Sequence, residues 1–169
     1  MNTRRMVLLG LLVAMASTLH IVEGWLPLPI PVPGVKLGLA NIISLFAIIM
    51  FGWKDAVYIA VARVFVGSLF GGSLFGPAFV MSIGGALSSI FVMAYIRRHY
   101  SQAFSLVGVS VAGAATHNIV QIVLASFLVY SAELLWYLPY LLLFAVPTGL
   151  FTGLAANYFI AKSPLKYGF

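Results

Sequence analysis

The sequence contains no cysteine, only three acidic residues and few charges of either sign. Without cysteine there is no disulfide, no thiolate metal site and no thiol nucleophile. Asp55 is the sole aspartate, and the two glutamates are Glu23 and Glu133. The aspartate-rich motifs with which a prenyl synthase holds magnesium and diphosphate are therefore missing. Three scattered histidines give no ligand spacing of the HExxH kind, no nucleophile elbow supports serine hydrolysis, and no Walker A sequence supports ATP hydrolysis. These absences argue against an enzyme and against a bound metal or cofactor. Active transport by such a chain would draw its energy from a partner.

What is present is apolar. Of the 169 residues 63% are hydrophobic and 7% are charged, and the mean hydropathy is +1.11, values outside the range of soluble globules. The reading is an integral membrane protein with residues 1–169 forming a single transmembrane domain and no room for a soluble one. A bilayer core takes about 20 apolar residues per helix, so six crossings use roughly 120 residues and leave short loops. Apolar runs punctuated by charge, proline or glycine predict helices at about 6–24, 37–52, 55–70, 77–96, 105–130 and 134–161. The fold class is thus all-α: a polytopic bundle of six transmembrane helices. The opening run behind Arg4 and Arg5 resembles a signal peptide, but it continues to about Gly24 and reads as a first span. Pro139 and Pro147 in the last segment imply a late start or a kink.

The net charge of +6 is a matter of topology. With Arg4 and Arg5 in the cytoplasm, six crossings put Lys54, Arg97, Arg98, Lys162 and Lys166 on the same side, while Lys36 faces the other side with Glu23 and Glu133. That asymmetry obeys the positive-inside rule and places both termini inside. Because the cations fall at helix ends, no nucleic-acid partner is expected.

The stretch Pro27–Ile42, PLPIPVPGVKLGLANI, interrupts this pattern. Its four alternate prolines cannot sit in a helix interior, so it reads as a stiff extended loop that delivers Lys36 and Asn41 to the start of the second helix. Arg63 lies nine positions after Lys54, roughly 14 Å along its helix at 1.5 Å per residue. A cation at that depth faces protein or water, either as a folding contact with carbonyls or Glu23, or as a binding group for an anion. On the fifth helix Ser110, Gly113, Ala114, His117 and Gln121 recur at spacings of three and four, with Asn118 beside them. This polar stripe is either hydrogen-bonded packing or part of a site. His20 stands apart and reads as interfacial. The pairs Gly10/Ala14 and Ala56/Ala60, with Gly84, Gly85, Ser88 and Ser89, provide thin faces for helix contact, within the chain or onto another membrane protein.

PGVKLGLANI at Pro33–Ile42, RVFVG at Arg63–Gly67, GVSVAGAATHNIVQ at Gly108–Gln121 and the GLFTGLAAN ending resemble the Gx transporter family, also labelled heptaprenyl diphosphate synthase component I. The resemblance covers nearly the whole chain. It implies a relation to the substrate-binding S components of energy-coupling factor (ECF) transporters, small six-helix proteins of the bacterial cytoplasmic membrane. Such proteins work with a coupling subunit and two ATPases. In S components an AxxxA pattern on the first helix meets the coupling subunit; here Gly10, Ala14 and Thr18 hold the corresponding places in a degenerate form.

Together these readings describe a membrane subunit that binds a small anionic solute from the outer side. Its pocket is lined by Glu23, Lys36, Asn41, Arg63, His117, Asn118 and Gln121, with Trp25, Pro31, Pro33 and Gly34 as a lid and Phe65 and Phe75 available to cover an apolar part of the ligand. The family label suggests a carboxylate or diphosphate linked to isoprenoid or quinone synthesis. The rival reading is a non-catalytic membrane subunit serving a prenyl diphosphate synthase or a quinone-linked electron-transfer assembly. If the proline segment is a lid, glycine at Pro31 and Pro33 changes the ligand association rate by more than it changes the equilibrium selectivity of the pocket. Stopped-flow binding checks this, and an unaltered rate makes the segment a spacer.

Overall fold

The structure, a computed structural model, describes residues 3–25 and 38–162, with the side chain of Arg4 outside the description. Lys36, Pro31, Pro33 and Gly34 therefore lie outside the described residues. The described chain forms α1 (Thr3–Trp25), α2 (Asn41–Met50), α3 (Trp53–Phe70), α4 (Pro77–His99), α5 (Leu106–Val129), a 3-10 turn (Ala132–Tyr137) and α6 (Leu138–Lys162). No strand occurs among the described residues.

Among the described residues four helices are long and apolar enough to cross a membrane: α1, α4, α5 and the continuous run Ala132–Lys162 that ends in α6. The other two differ from the six-span expectation. The 18 residues of α3 carry Lys54, Asp55 and Arg63. The 10 residues of α2 reach only about 15 Å, half of a hydrocarbon core. Its ends are set by glycines: Gly38 at φ +84° precedes it and Gly52 at φ +96° follows it. Both are left-handed conformations that side-chain-bearing residues resist, so apolarity alone overstates this helix at both ends.

The short helix is also the centre of the molecule. It contacts each of the other five α-helices, and all its residues except Phe46 are buried. Leu45 and Ala47, both fully enclosed, join Ala16 of α1, Ile59 and Ala60 of α3, Ile90 of α4, Val109 of α5 and Ala156 of α6 in the main apolar core.

Around this pillar α1 and α3 run in the same direction. Arg5 pairs with Asp55 at their starts, and His20 lies against Gly67 near their ends. The turn at Gly71–Gly76 then reverses the chain into α4, whose Pro77 takes a first-turn position where its missing amide costs nothing. Trp53 and Phe91 rings 6.3 Å apart bring the start of α3 beside the later turns of α4, toward Arg97 and Arg98.

The α4–α5 and α5–α6 pairs are antiparallel and rely on glycine. A β-carbon at Gly85 would stand 2.9 Å from His117 Nδ1, one at Gly149 2.5 Å from the Val111 backbone, and one at Gly153 2.7 Å from the Val107 backbone. Between membrane helices such close approach supplies the packing energy that apolar burial supplies in water. Pro147 lies inside α6, and Thr148 donates to the Phe144 carbonyl at 2.8 Å in the same turn.

Gly149→Ala is accordingly expected to push α5 and α6 apart and to cost about 1–3 kcal/mol, the usual range for overpacking. Gly10→Ala, whose new methyl would meet nothing within 4 Å, serves as the control and leaves stability unchanged. Thermal unfolding of the two variants in detergent compares them directly.

Candidate functional site

The first backbone amides of a helix have no partner within the helix, and in α2 those amides are buried. No acid stands in the first turn of α2, and Ala40 in the capping position makes no side-chain bond. The chain instead turns tightly: Asn41 N donates to Gly38 O at 2.9 Å and Ile42 N to Leu39 O at 3.1 Å. The amides exposed by this turn, Gly38 N and Leu39 N, donate to one carboxylate oxygen of Glu23 in the last turns of α1, the second at 3.1 Å. A carboxylate from a different helix thus closes the positive end of α2.

Arg63 completes the arrangement. Its side chain is 2% exposed, faces the charge of Glu23 and donates through Nη2 to Asn41 Oδ1 at 3.2 Å. Three helices therefore meet through a buried glutamate, asparagine and arginine, beside the amide-bearing start of α2. Donors are in excess here. Arg63 Nε and Asn41 Nδ2 are fully buried and have no hydrogen-bond partner among the described residues.

The α5 stripe forms the opposite wall. A β-carbon at Gly38 would lie 3.4 Å from His117 Cδ2, and one at Gly85 would lie 2.9 Å from His117 Nδ1 and 3.1 Å from Gln121 Cγ. The imidazole is thus held between the backbones of two glycines, with Gln121 one turn further along. Ser110 shares a hydrogen bond with Thr152 of α6, so the far end of the stripe is used for packing.

Of the residues expected to line a pocket, Glu23, Asn41, Arg63 and His117 converge, and Gln121 adjoins them through Gly85. Asn118 does not. It donates to the Leu141 carbonyl at 2.8 Å and fastens α5 to α6. Trp25, Phe65 and Phe75 are all exposed on the outer surface, Trp25 and Phe75 by more than three quarters. His20 is buried, not interfacial, and packs on Gly67 one turn before Glu23 on α1.

A cleft of about 280 Å³ opens between α1, α2 and α6, lined by Leu12, Met15, Ile42, Ile43, Phe46, Phe159 and Lys162. It touches none of the converging polar residues. On the outward side of α1, Gly10, Ala14 and Thr18 are all exposed, whereas Ala56 and Ala60 are fully buried in the core. Sequence reasoning misses the amides of Gly38 and Leu39. Their signal is a glycine three residues before Asn41, where a helix begins.

The family profile described as heptaprenyl diphosphate synthase component I matches residues 12–159, most of the chain and all the converging residues. No curated protein matches significantly. No solved structure does either.

Asn118 and Asn41 provide a test of which polar residues belong together. Asn118→Ala is expected to lose about 1 kcal/mol of stability, the worth of one hydrogen bond, and to leave ligand affinity unchanged. Asn41→Ala is expected to change both, as read by thermal unfolding and ligand titration of the same preparations.

Proposed function

The chain belongs to the heptaprenyl diphosphate synthase component I family, and from that premise we propose that it is a non-catalytic, ligand-binding membrane subunit that takes up a small anionic solute at the start of α2. The observation that carries this reading is the donor excess: the amides at the head of a buried half-length helix, Arg63 and Asn41 converge at one place, with two N–H-bearing atoms lacking acceptors among the described residues. Broken or shortened helices whose amino ends point at anionic groups are a recurring way to build solute sites inside membranes. His117, Gln121 and Glu23 form the remaining walls, and Lys36 precedes the site by two residues in the sequence.

The finer assignment is an S-component-like subunit of an ECF-type uptake transporter in the bacterial cytoplasmic membrane, crossing six times with both termini inside. Arg5, Lys54, Arg97, Arg98 and Lys162 at helix ends support that orientation. So does the Arg5–Asp55 pair, which gathers the starts of α1 and α3 at one end. The open face of Gly10, Ala14 and Thr18 suits the docking of a coupling subunit, with two ATPases as the energy source.

A second reading has support of its own in the family description, which names a synthase component. On that reading the chain anchors a prenyl diphosphate synthase or a quinone-linked assembly, and the same outward face of α1 holds the partner.

Native mass spectrometry of the purified chain separates the two. A stoichiometric anionic small molecule supports the first, and retention of a synthase or redox partner alone supports the second. In a folded Arg63→Ala protein the affinity for that molecule is expected to fall 10-fold or more, since charge-assisted hydrogen bonds contribute about 1.5–3 kcal/mol. Undiminished affinity removes Arg63 from the site.

A further inference from the structure

We propose that Glu23 is a stand-in for the ligand, an intramolecular anion that fills the site until an incoming oxyanion, carboxylate or phosphoryl, displaces it and frees the end of α1 from the start of α2. The inference rests on the anion-binding reading above and specifies how that site is kept closed.

Three features of the geometry point to it. The Glu23 carboxylate occupies the place an anionic ligand would take, accepting from two consecutive amides at the head of α2 and facing Arg63. It reaches that place from another helix, 15 residues away from Gly38. An internal cap on α2 could not leave without fraying α2, whereas a carboxylate supplied by α1 can be replaced by another anion while every bond within α2 is kept. Glu23 also leaves the site incompletely matched. Arg63 Nε and Asn41 Nδ2, both buried, have no acceptor among the described residues. An oxyanion free of the geometric tether to α1 can present oxygens to these donors as well as to the amides.

The place facing these donors is thus taken by the protein's own carboxylate. It also gives binding a mechanical consequence. His20 and Ser17 share the inward face of α1 with Glu23, and all three are buried. Replacing the Glu23 contact by a ligand removes its bonds from the last turns of α1 to the residues before α2, leaving α1 held chiefly by its packing on α3 and on the apolar body of α2.

The test uses full-length protein in phosphatidylcholine nanodiscs. Glu23→Ala vacates the carboxylate position and is expected to melt at a lower temperature than wild type, because Arg63 loses its counter-charge. Inorganic phosphate or acetate at millimolar concentration should restore much of that loss in a saturable manner, while equal chloride does not and wild type responds at least 10-fold more weakly. Where Glu23→Ala does not fold, Glu23→Gln retains an oxygen for the two amides and should bind phosphate at least 10-fold more tightly than wild type.

Adding phosphatidic acid to the nanodiscs identifies the source of the anion. Rescue by inorganic phosphate or acetate alone marks a free solute, and rescue that needs the lipid marks a headgroup. Both outcomes uphold the displacement. Wild type that retains an anionic molecule by native mass spectrometry, with neither variant gaining affinity or stability from any of these anions, overturns the stand-in and leaves the anion-binding reading in place. Absence of any bound anion from wild type and both variants overturns the two together.

Discussion

The structure depends on one electrostatic constraint: a helix that starts in the interior of a membrane protein must have its first amides satisfied by something other than water. At α2 the amides of Asn41 and Ile42 bond back to Gly38 O and Leu39 O, and the two amides that this turn exposes are taken by Glu23. A carboxylate brought to such a place carries its own desolvation cost, and Arg63 offsets it. The arginine is in turn too deep to reach a surface and is steadied by Asn41, the first residue of the helix whose end it helps to neutralise. The three groups form a closed cycle of dependence among α1, α2 and α3. Removing Glu23 takes the acceptor from two buried amides and the facing charge from Arg63, and removing Arg63 takes the facing cation from Glu23, which is why so apolar a chain holds a glutamate and an arginine in its interior.

The remaining helices are arranged by contact rather than by charge. Gly85 admits His117, and Gly149 and Gly153 admit the backbone of α5. Polar side chains that lie along these seams, such as Asn118 on Leu141 and Ser110 on Thr152, add hydrogen bonds where the backbones already touch. The α5 stripe therefore has two uses along its length. Its Ser110 end and Asn118 hold α6, while His117 closes the wall behind Gly38. A single polar face on a helix does not by itself reveal this division, because the spacing of three and four that gathers the residues on one side says nothing of which neighbour each will meet.

That limit explains which parts of the architecture are legible in the sequence. Apolar runs locate α1, α4 and α5 to within three residues at each end, since length and hydropathy determine a long membrane helix. They overextend α2, because Leu37 to Gly52 carries no charge and little polarity, and the stop signals are conformational, lying in the positive φ of Gly38 and Gly52. Arg63 and Glu23 are legible as inward-facing residues because both stand out as charges in hydrocarbon, and both are buried. The aromatic residues are misplaced for the opposite reason. Phe65 and Phe75 are common membrane residues whose side is set by helix rotation, and both face outward.

The geometry of α1 links these two levels of organisation. Its inward face carries Ser17, His20 and Glu23, and its outward face carries Gly10, Ala14 and Thr18, open along the same helix. No other helix combines a residue bonded to the head of α2 with an exposed run of small residues at intervals of four. The Arg5–Asp55 pair ties the far end of α1 to α3, and His20 packs on Gly67 of the same neighbour close to Glu23. The carboxylate that meets the head of the short central helix and the outward face of small residues thereby belong to one continuous helix, tied to α3 at its charged end.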